Sequence, residues 1–256
     1  MLASLFEPLT VKSLDLKNRF VMSPMTRSFS PDHVPTDEMA AYYTRRAEND
    51  VALIITEGVG IDRPASIESS VIPRFHGEKA LAAWRTVFDR VHAAGGKIAP
   101  QLWHVGGYYN DTGWTPDEPF EAPSGRRLRN EISAEVMTEA AIEATIEAFA
   151  SAAASAKALG GDAINVHGAH GYLLDQFTWA ETNLRKDHWG GSTIAQRGRI
   201  AVEVVKAIRA AIGPDMPILF RISQWKIQAY HEQMAKTPAE LESWVQPLVE
   251  AGVDVF

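Results

Sequence analysis

Residues His167, Gly168, Ala169, His170, Gly171 and Tyr172 bring two imidazoles and a phenol into one short stretch, directly after the apolar run 162–166. Two imidazoles that are neutral near pH 7 can donate hydrogen bonds to a carbonyl oxygen, and a phenol of ordinary pKa about 10 can hold a proton for the neighbouring carbon. Glycines on either side make room for a small molecule. Taken alone, the His-x-x-His spacing is equally served by two histidines that cap backbone groups of a loop. Other apolar runs also end in polar side chains. Gln101 offers an amide donor and acceptor, to a ligand or to a buried structural contact. Arg221 closes a run in which an unpaired cation is costly to bury, so it demands a partner, such as a carboxylate from a facing loop. A metal reading of His104, His167 and His170 finds no carboxylate at ligand spacing and no cysteine, so no metal site is expected. His104 reads as structural or as a support for the others.

These residues need a frame that brings the ends of several strands together. Residues 9–11 and 14–16 read as a small hairpin, and 18–22 as a first buried strand ending at Ser23-Pro24-Met25-Thr26-Arg27. A helix over 36–47 with Thr36 as its N-cap leads to a strand over 52–56. A helix over 79–94, stopped by Gly95-Gly96, leads to a strand over 97–102, whose Pro100 suits a central strand poorly. The long excursion 103–136 is rich in Gly, Pro, Trp and charge, the composition of a functional lid or a disordered loop. An alanine-rich helix over 138–159 follows, then the strand bearing the histidine motif. A helix over 192–212, a strand over 217–222 and a helix over 238–251 ended by Gly252 come next, and 253–256 opens a sixth strand.

This alternation predicts an α/β protein built on a parallel sheet. Polar residues at successive strand ends favour a (β/α)8 TIM barrel over an open sheet, and no Gly-x-Gly-x-x-Gly follows the first strand to support a dinucleotide fold. The reading is a single domain over 1–256 with an N-terminal β-hairpin. It is an incomplete barrel of about five βα units plus the start of strand six, lacking strands seven and eight.

With 256 residues, 46% hydrophobic and 22% charged, the chain can build one large core. A net charge of −7 recommends neither nucleic acid nor an anionic membrane as partner. The absence of cysteine rules out disulfides and thiolate metal sites. With no leader pattern and no segment of spanning length, a cytoplasmic location is expected.

Six segments occur in a telling order: Ser23-Pro24-Met25-Thr26, Ile54-Ile55-Thr56-Glu57-Gly58, Gln101-Leu102-Trp103-His104, the His167 to Tyr172 motif, Asn183 to Ser192, and Phe220-Arg221-Ile222-Ser223. Together they resemble the Old Yellow Enzyme family of FMN-dependent NAD(P)H oxidoreductases and ene-reductases. The resemblance implies FMN across the carboxyl ends of the strands, reduced by NAD(P)H and reoxidised by the C=C bond of an enone or enal. It places Ser23, Pro24, Met25, Thr26, Gly58, Gln101, His167 and Arg221 against the flavin. Thr26 would lie at its O4/N5 edge, Gln101 at its pyrimidine ring, and Arg221 where negative charge develops on reduction. His167 and His170 would grip the substrate carbonyl, and Tyr172 would protonate the α-carbon opposite the incoming hydride. Trp103, Tyr108, Trp114 and Trp225 are aromatic residues that would suit a substrate mouth. The segment 187–192 would close a loop, with Ser192 as helix cap.

In that family the FMN phosphate is held by loops after strands seven and eight, which this sequence lacks. Losing about three charge-assisted hydrogen bonds of roughly 1.5–3 kcal/mol each would weaken cofactor binding from nanomolar to micromolar or worse. Open edges at strands one and six would favour pairing with a second copy or with a C-terminal fragment. The alternative to an ene-reductase is therefore an inactive remnant that holds no FMN unless completed by another chain.

Overall fold

The computed structural model describes residues 2–109 and 113–256. Leu9–Val11 (β1) pairs antiparallel with Leu14–Leu16 (β2), the expected hairpin. The main sheet begins with Val21–Met22 (β3), Leu53–Gly60 (β4) and Lys97–Trp103 (β5). Four short excursion strands follow: Glu121–Ala122 (β6), Arg126–Leu128 (β7), Glu131–Ile132 (β8) and Glu135–Val136 (β9). The sheet resumes at Ile164–His167 (β10) and Ile218–Arg221 (β11). Its order is β3-β4-β5-β10-β11 with every pair parallel, so successive strands of the chain are neighbours in space. This is an α/β fold with a half-barrel sheet. Val255 adds one parallel bridge to Leu219 beyond β11.

The strand expected over 18–22 shrinks to two residues because Asn18 takes the local backbone for itself. Its Oδ1 accepts from Phe20 N at 2.9 Å and its Nδ2 donates to Asp50 O at 2.7 Å. Pro100 does lie in a central strand. The β4–β5 register slips by one residue between Ile55 and Gly58, where Thr56 and Glu57 bulge opposite Pro100, so no ladder donor is missed there. Thr56 Oγ1 then accepts from Gln101 N at 3.1 Å and restores the register.

Asp37–Glu48 (α1) is capped by Thr36, whose hydroxyl accepts from Met39 N. Glu78–Ala93 (α2) and Glu139–Ala158 (α3) complete the next crossovers, the latter capped by Thr138. Such caps contribute about 1 kcal/mol each. Leu173–Thr178 (α4) was not legible as a helix, since all six of its residues, Asp175, Gln176 and Thr178 included, are buried and none forms a solvent-facing polar side. The helix expected over 192–212 is two: Ile194–Arg197 (α5) and Arg199–Ile212 (α6). They break at Gly198, where a Cβ would overlap the Trp244 indole. The cap is Thr193 rather than Ser192, in a reciprocal box with Gln196. Pro238–Ala251 (α7) ends at Gly252 with φ 116°, a left-handed stop. None of the described helices is long and apolar enough to cross a membrane.

The main core lies between the helices and the outer face of the sheet. A smaller one fills the inner face, where Leu14 and Leu16 of the hairpin pack on Ala52, Leu53, Ile55, Ala99, Ala163 and Leu219. The hairpin thus plugs the amino ends of the strands and leaves the carboxyl ends to the site. The described part of the excursion is packed: Phe120 joins Trp103, Val105, Ala65, Ile67 and Ile72 in a third cluster. Residues 110–112 of that excursion lie outside the described residues.

Candidate active site

Parallel strands present their free carboxyl ends on one side, and a cavity of about 240 Å3 opens there. Pro24, Met25 and Thr26 reach it from the loop after β3, Gly58 from β4, and Gln101 and Trp103 from β5. His167 and Arg221 stand side by side in register at the ends of β10 and β11, while His170, Tyr172 and Ile227 lie just beyond those strands. Ser23 is exposed and lines no part of the cavity. Ten of the residues expected from sequence therefore meet, and Ile227 joins them unannounced.

The two imidazoles are perpendicular, with centroids 5.4 Å apart, and the Tyr172 ring is 5.1 Å from His167. Ala169 N donates to His167 Nδ1 at 3.3 Å, which leaves Nε2 as the protonated, donating nitrogen. Burial holds His167 far below the ordinary imidazole value, helped by the nearby His170 imidazole, which would repel a second proton were it protonated itself, and by the positive charge of Arg221. Burial, then Arg221 and Lys226, lowers His170 to about 4. Both rings are thus neutral at pH 7. Burial likewise pushes the Tyr172 phenol well up, reinforced by Glu68 and Tyr108 and opposed by Arg221, so it keeps its proton. The site can donate three hydrogen bonds without carrying charge on any of the three rings.

His170 has φ 65°, a left-handed conformation that costs an L-residue roughly 1–2 kcal/mol. It persists because neighbours hold it: its N–H donates to Ser223 Oγ at 2.9 Å, and its carbonyl accepts from Ile227 N at 3.2 Å. Its ring stacks on Trp225 at 4.5 Å. Trp103 lines the cavity and packs edge-on against Tyr172 at 5.0 Å, while Tyr108 backs the Tyr172 ring at 6.1 Å without lining the cavity. Trp114 lines no part of it and packs against His33. His104 is structural: its Nδ1 accepts from Gly106 N, and its Nε2 meets Glu121, itself clamped by Arg63. Among the described residues no group of three His, Asp or Glu side chains could hold a metal ion.

Two features fit a flavin. Gln101 donates through Nε2 to Asn165 Oδ1 at 2.7 Å, which orients the amide and leaves its Oε1 without a hydrogen-bond partner among the described residues. Asn165, the register partner of Gln101 on β10, is a supporting residue that sequence reasoning did not single out. Arg221 is half-buried with no carboxylate beside it among the described residues, so the facing-loop ion pair is not formed. An oriented amide and an unpaired guanidinium in one cavity match a ring edge that alternates donors and acceptors and gains negative charge. Gly58 lines the cavity and also borders Trp103. A Cβ there would come 3.1 Å from the Trp103 ring, so the glycine makes room for an indole of the protein itself.

Residues 4–254 match the model of the NADH:flavin oxidoreductase / NADH oxidase family. The chain belongs to this family. Among family members it resembles a chanoclavine-I aldehyde reductase of Penicillium roqueforti, with 38% identity over 88% of the chain and 61% of the relative. A 12-oxophytodienoate reductase of rice, Oryza sativa subsp. japonica, is 34% identical over 86% of the chain and 58% of the relative. The chain therefore spans about three fifths of the length of these curated relatives. Among solved structures, the Old Yellow Enzyme from Pichia sp. superposes with a TM-score of 0.84 at 32% identity, covering 96% of the chain and 66% of that structure. Morphinone reductase in complex with tetrahydroNAD gives 0.85 at 31% identity, covering 98% and 72%. FMN is the cofactor of this family.

Proposed function

We propose that this chain is an FMN-dependent ene-reductase, which uses NAD(P)H to reduce the C=C bond of an α,β-unsaturated carbonyl compound. The observation that supports this most is the shared cavity, where Gln101 and Arg221 stand with two neutral imidazoles and a protonated phenol. Bound FMN would supply the hydride chemistry, accepting from NAD(P)H and donating to the alkene. Gln101, through its oriented amide, and Arg221, through its positive charge, would hold the polar edge of the FMN ring. Thr26, Pro24, Met25 and Gly58 form the adjoining wall. His167, through Nε2–H, and His170 bind the substrate carbonyl oxygen and stabilise the negative charge that grows there as the alkene is reduced. Tyr172 gives its phenolic proton to the α-carbon.

Within this reading, residues 1–256 form one barrel domain, and further strands of a barrel would pair at the edge of β3 and beyond the 254–255 run that already lies along β11. The test is the visible spectrum of the purified chain with added FMN, followed by NAD(P)H oxidation with and without a small enone. Near-stoichiometric flavin and enone-dependent oxidation are expected. A chain that takes up no FMN would leave these residues inherited but idle, and bound FMN with no enone-dependent turnover would refute the substrate class.

A further inference from the structure

Beneath the two loops that carry the imidazoles and Arg221 lies an ion pair that the reaction does not use. Lys226 Nζ donates to Asp175 Oδ1, and the two side chains are 1% and 0% exposed. Every other hydrogen bond of the Asp175 carboxylate is local to α4 and its approach: Oδ2 accepts from Gly171 N at 2.7 Å and Oδ1 from Thr178 Oγ1 at 3.1 Å. Gly171 stands between His170 and Tyr172. Lys226 stands between Trp225, whose ring covers His170, and Ile227, whose N–H holds the His170 carbonyl. The backbones of His170 and Lys226 form an isolated parallel bridge. The charged pair thus fastens the 170–172 segment to the 225–227 segment from below, while the Trp225 stack fastens them from above.

Burying two charges is a poor way to gain stability but a good way to fix register, because only one arrangement pairs them. Here the register being fixed is that of a non-glycine residue in a left-handed conformation. We propose that Asp175 and Lys226 are positioning residues, whose buried pair sets the orientation of His170 against Trp225 and thereby the grip on the substrate carbonyl. This rests on the reading of His170 as a carbonyl donor, so the experiment separates the two.

The variants are Asp175→Asn and the double replacement Asp175→Asn with Lys226→Met, which removes both charges and leaves neither one buried alone. The first readout is the proton signal of the His170 ring in the full chain, assigned by its loss in His170→Asn. A ring stacked on an indole is shifted upfield, and this needs neither flavin nor ligand. In the double variant the signal should move downfield toward that of an exposed histidine while the thermal midpoint stays near the parent value. Asp175→Asn should move it in the same direction, which covers a double variant that fails to fold. The second readout is calorimetric affinity for 4-hydroxybenzaldehyde in the FMN-loaded protein, which should weaken about tenfold, equivalent to about 1.4 kcal/mol. An unmoved His170 signal in every variant that folds overturns the positioning role, whatever the affinity does. A signal that moves with unchanged affinity keeps the clamp and overturns His170 as a carbonyl donor.

Discussion

At the scale of single residues, the site depends on keeping three polar rings uncharged in a half-buried cavity that also holds a guanidinium. Tyr172 is the clearest case. Replacing its hydroxyl in Tyr172→Phe removes the proton source and leaves the Trp103 and His167 ring contacts intact. Alkene reduction should slow about 10²–10⁴-fold while flavin reduction by NAD(P)H is spared. Rapid-mixing measurement of the two half-reactions checks this, and equal loss in both would remove Tyr172 from its role. The imidazoles make a pH prediction. Because burial and Arg221 depress His170 to about 4 and hold His167 well below its ordinary value, neither ring titrates near 6.5. Tyr172 is shifted upward, so it does not ionise near neutrality either. Turnover of substrate on the loaded protein should therefore be flat between pH 6 and 8 and fall only as pH approaches about 4. An acid limb centred near 6.5 would mean that at least one imidazole is solvated and the cavity less dry than its geometry indicates.

At the scale of elements, the bulge on β4 is where packing, charge and the site loop meet. Glu57 sits in it, buried, with Oε2 accepting from Arg27 N at 3.2 Å and Oε1 without a partner. That bond fixes the chain directly after Thr26. Burial raises the Glu57 carboxyl from its ordinary 4.5 to about 7, against the backbone N–H groups of Arg27 and Ser28 that favour its charge. Between those two values the unfolded chain has lost the proton and the folded one has kept it, so stability falls as pH rises through that window. Glu57→Gln keeps the shape and the acceptor for Arg27 and removes the penalty. At pH 8 it should be more stable than the parent by on the order of 2–3 kcal/mol, with the gap closing toward pH 4.5. Denaturant melts at the two pH values test this, and equal gaps would mean that Glu57 is charged at both. Neither the bulge nor this carboxyl was legible in sequence, although the strands on either side were. Threonine caps, terminal glycines and apolar runs are local signals, and they located the hairpin, α1, α2, α3 and α7 to within a residue or two. What escaped depends on distant partners. Helix α4 has no solvent-facing side because everything around it is protein, Gly198 breaks a helix because of Trp244, and Asp175 finds Lys226 only once the chain has folded. The cavity residues were legible for a different reason: most of them lie in the last residues of a strand or in the loop that follows one, so the parallel sheet gathers them on one side. Ser23, at the start of the loop after β3, is exposed and stays outside.

At the scale of the molecule, stability and chemistry are kept at opposite ends of the sheet. The hairpin is tied to the amino ends of the strands, with Ser13 N and Oγ donating to Asp215 O and Lys12 Nζ to Pro214 O. Lys12 also pairs with Asp254, which Arg209 grips from α6, so the hairpin, β11 and the Val253–Val255 run share one anchor. Leu16 is the central plug, 5% exposed against the small inner core. Leu16→Ala should cost about 2–5 kcal/mol, since the surrounding strands are hydrogen-bonded and cannot collapse into the space. For a chain of this size each kcal/mol moves the thermal midpoint by about 2–4 °C, so a fall of roughly 5–20 °C is expected in the flavin-free protein. The cavity lies beyond the carboxyl ends, and none of its lining residues belongs to the inner core. Ligand linkage adds RT ln(1 + [L]/Kd), about 2.7 kcal/mol at a hundredfold excess over Kd, and this increment depends only on the intact site. Parent and Leu16→Ala should therefore gain the same stabilisation from FMN, from baselines several degrees apart. A smaller increment in the variant would show that the plug reaches through the sheet to Gln101 or Arg221, and that the two ends of the half-barrel are one mechanical unit.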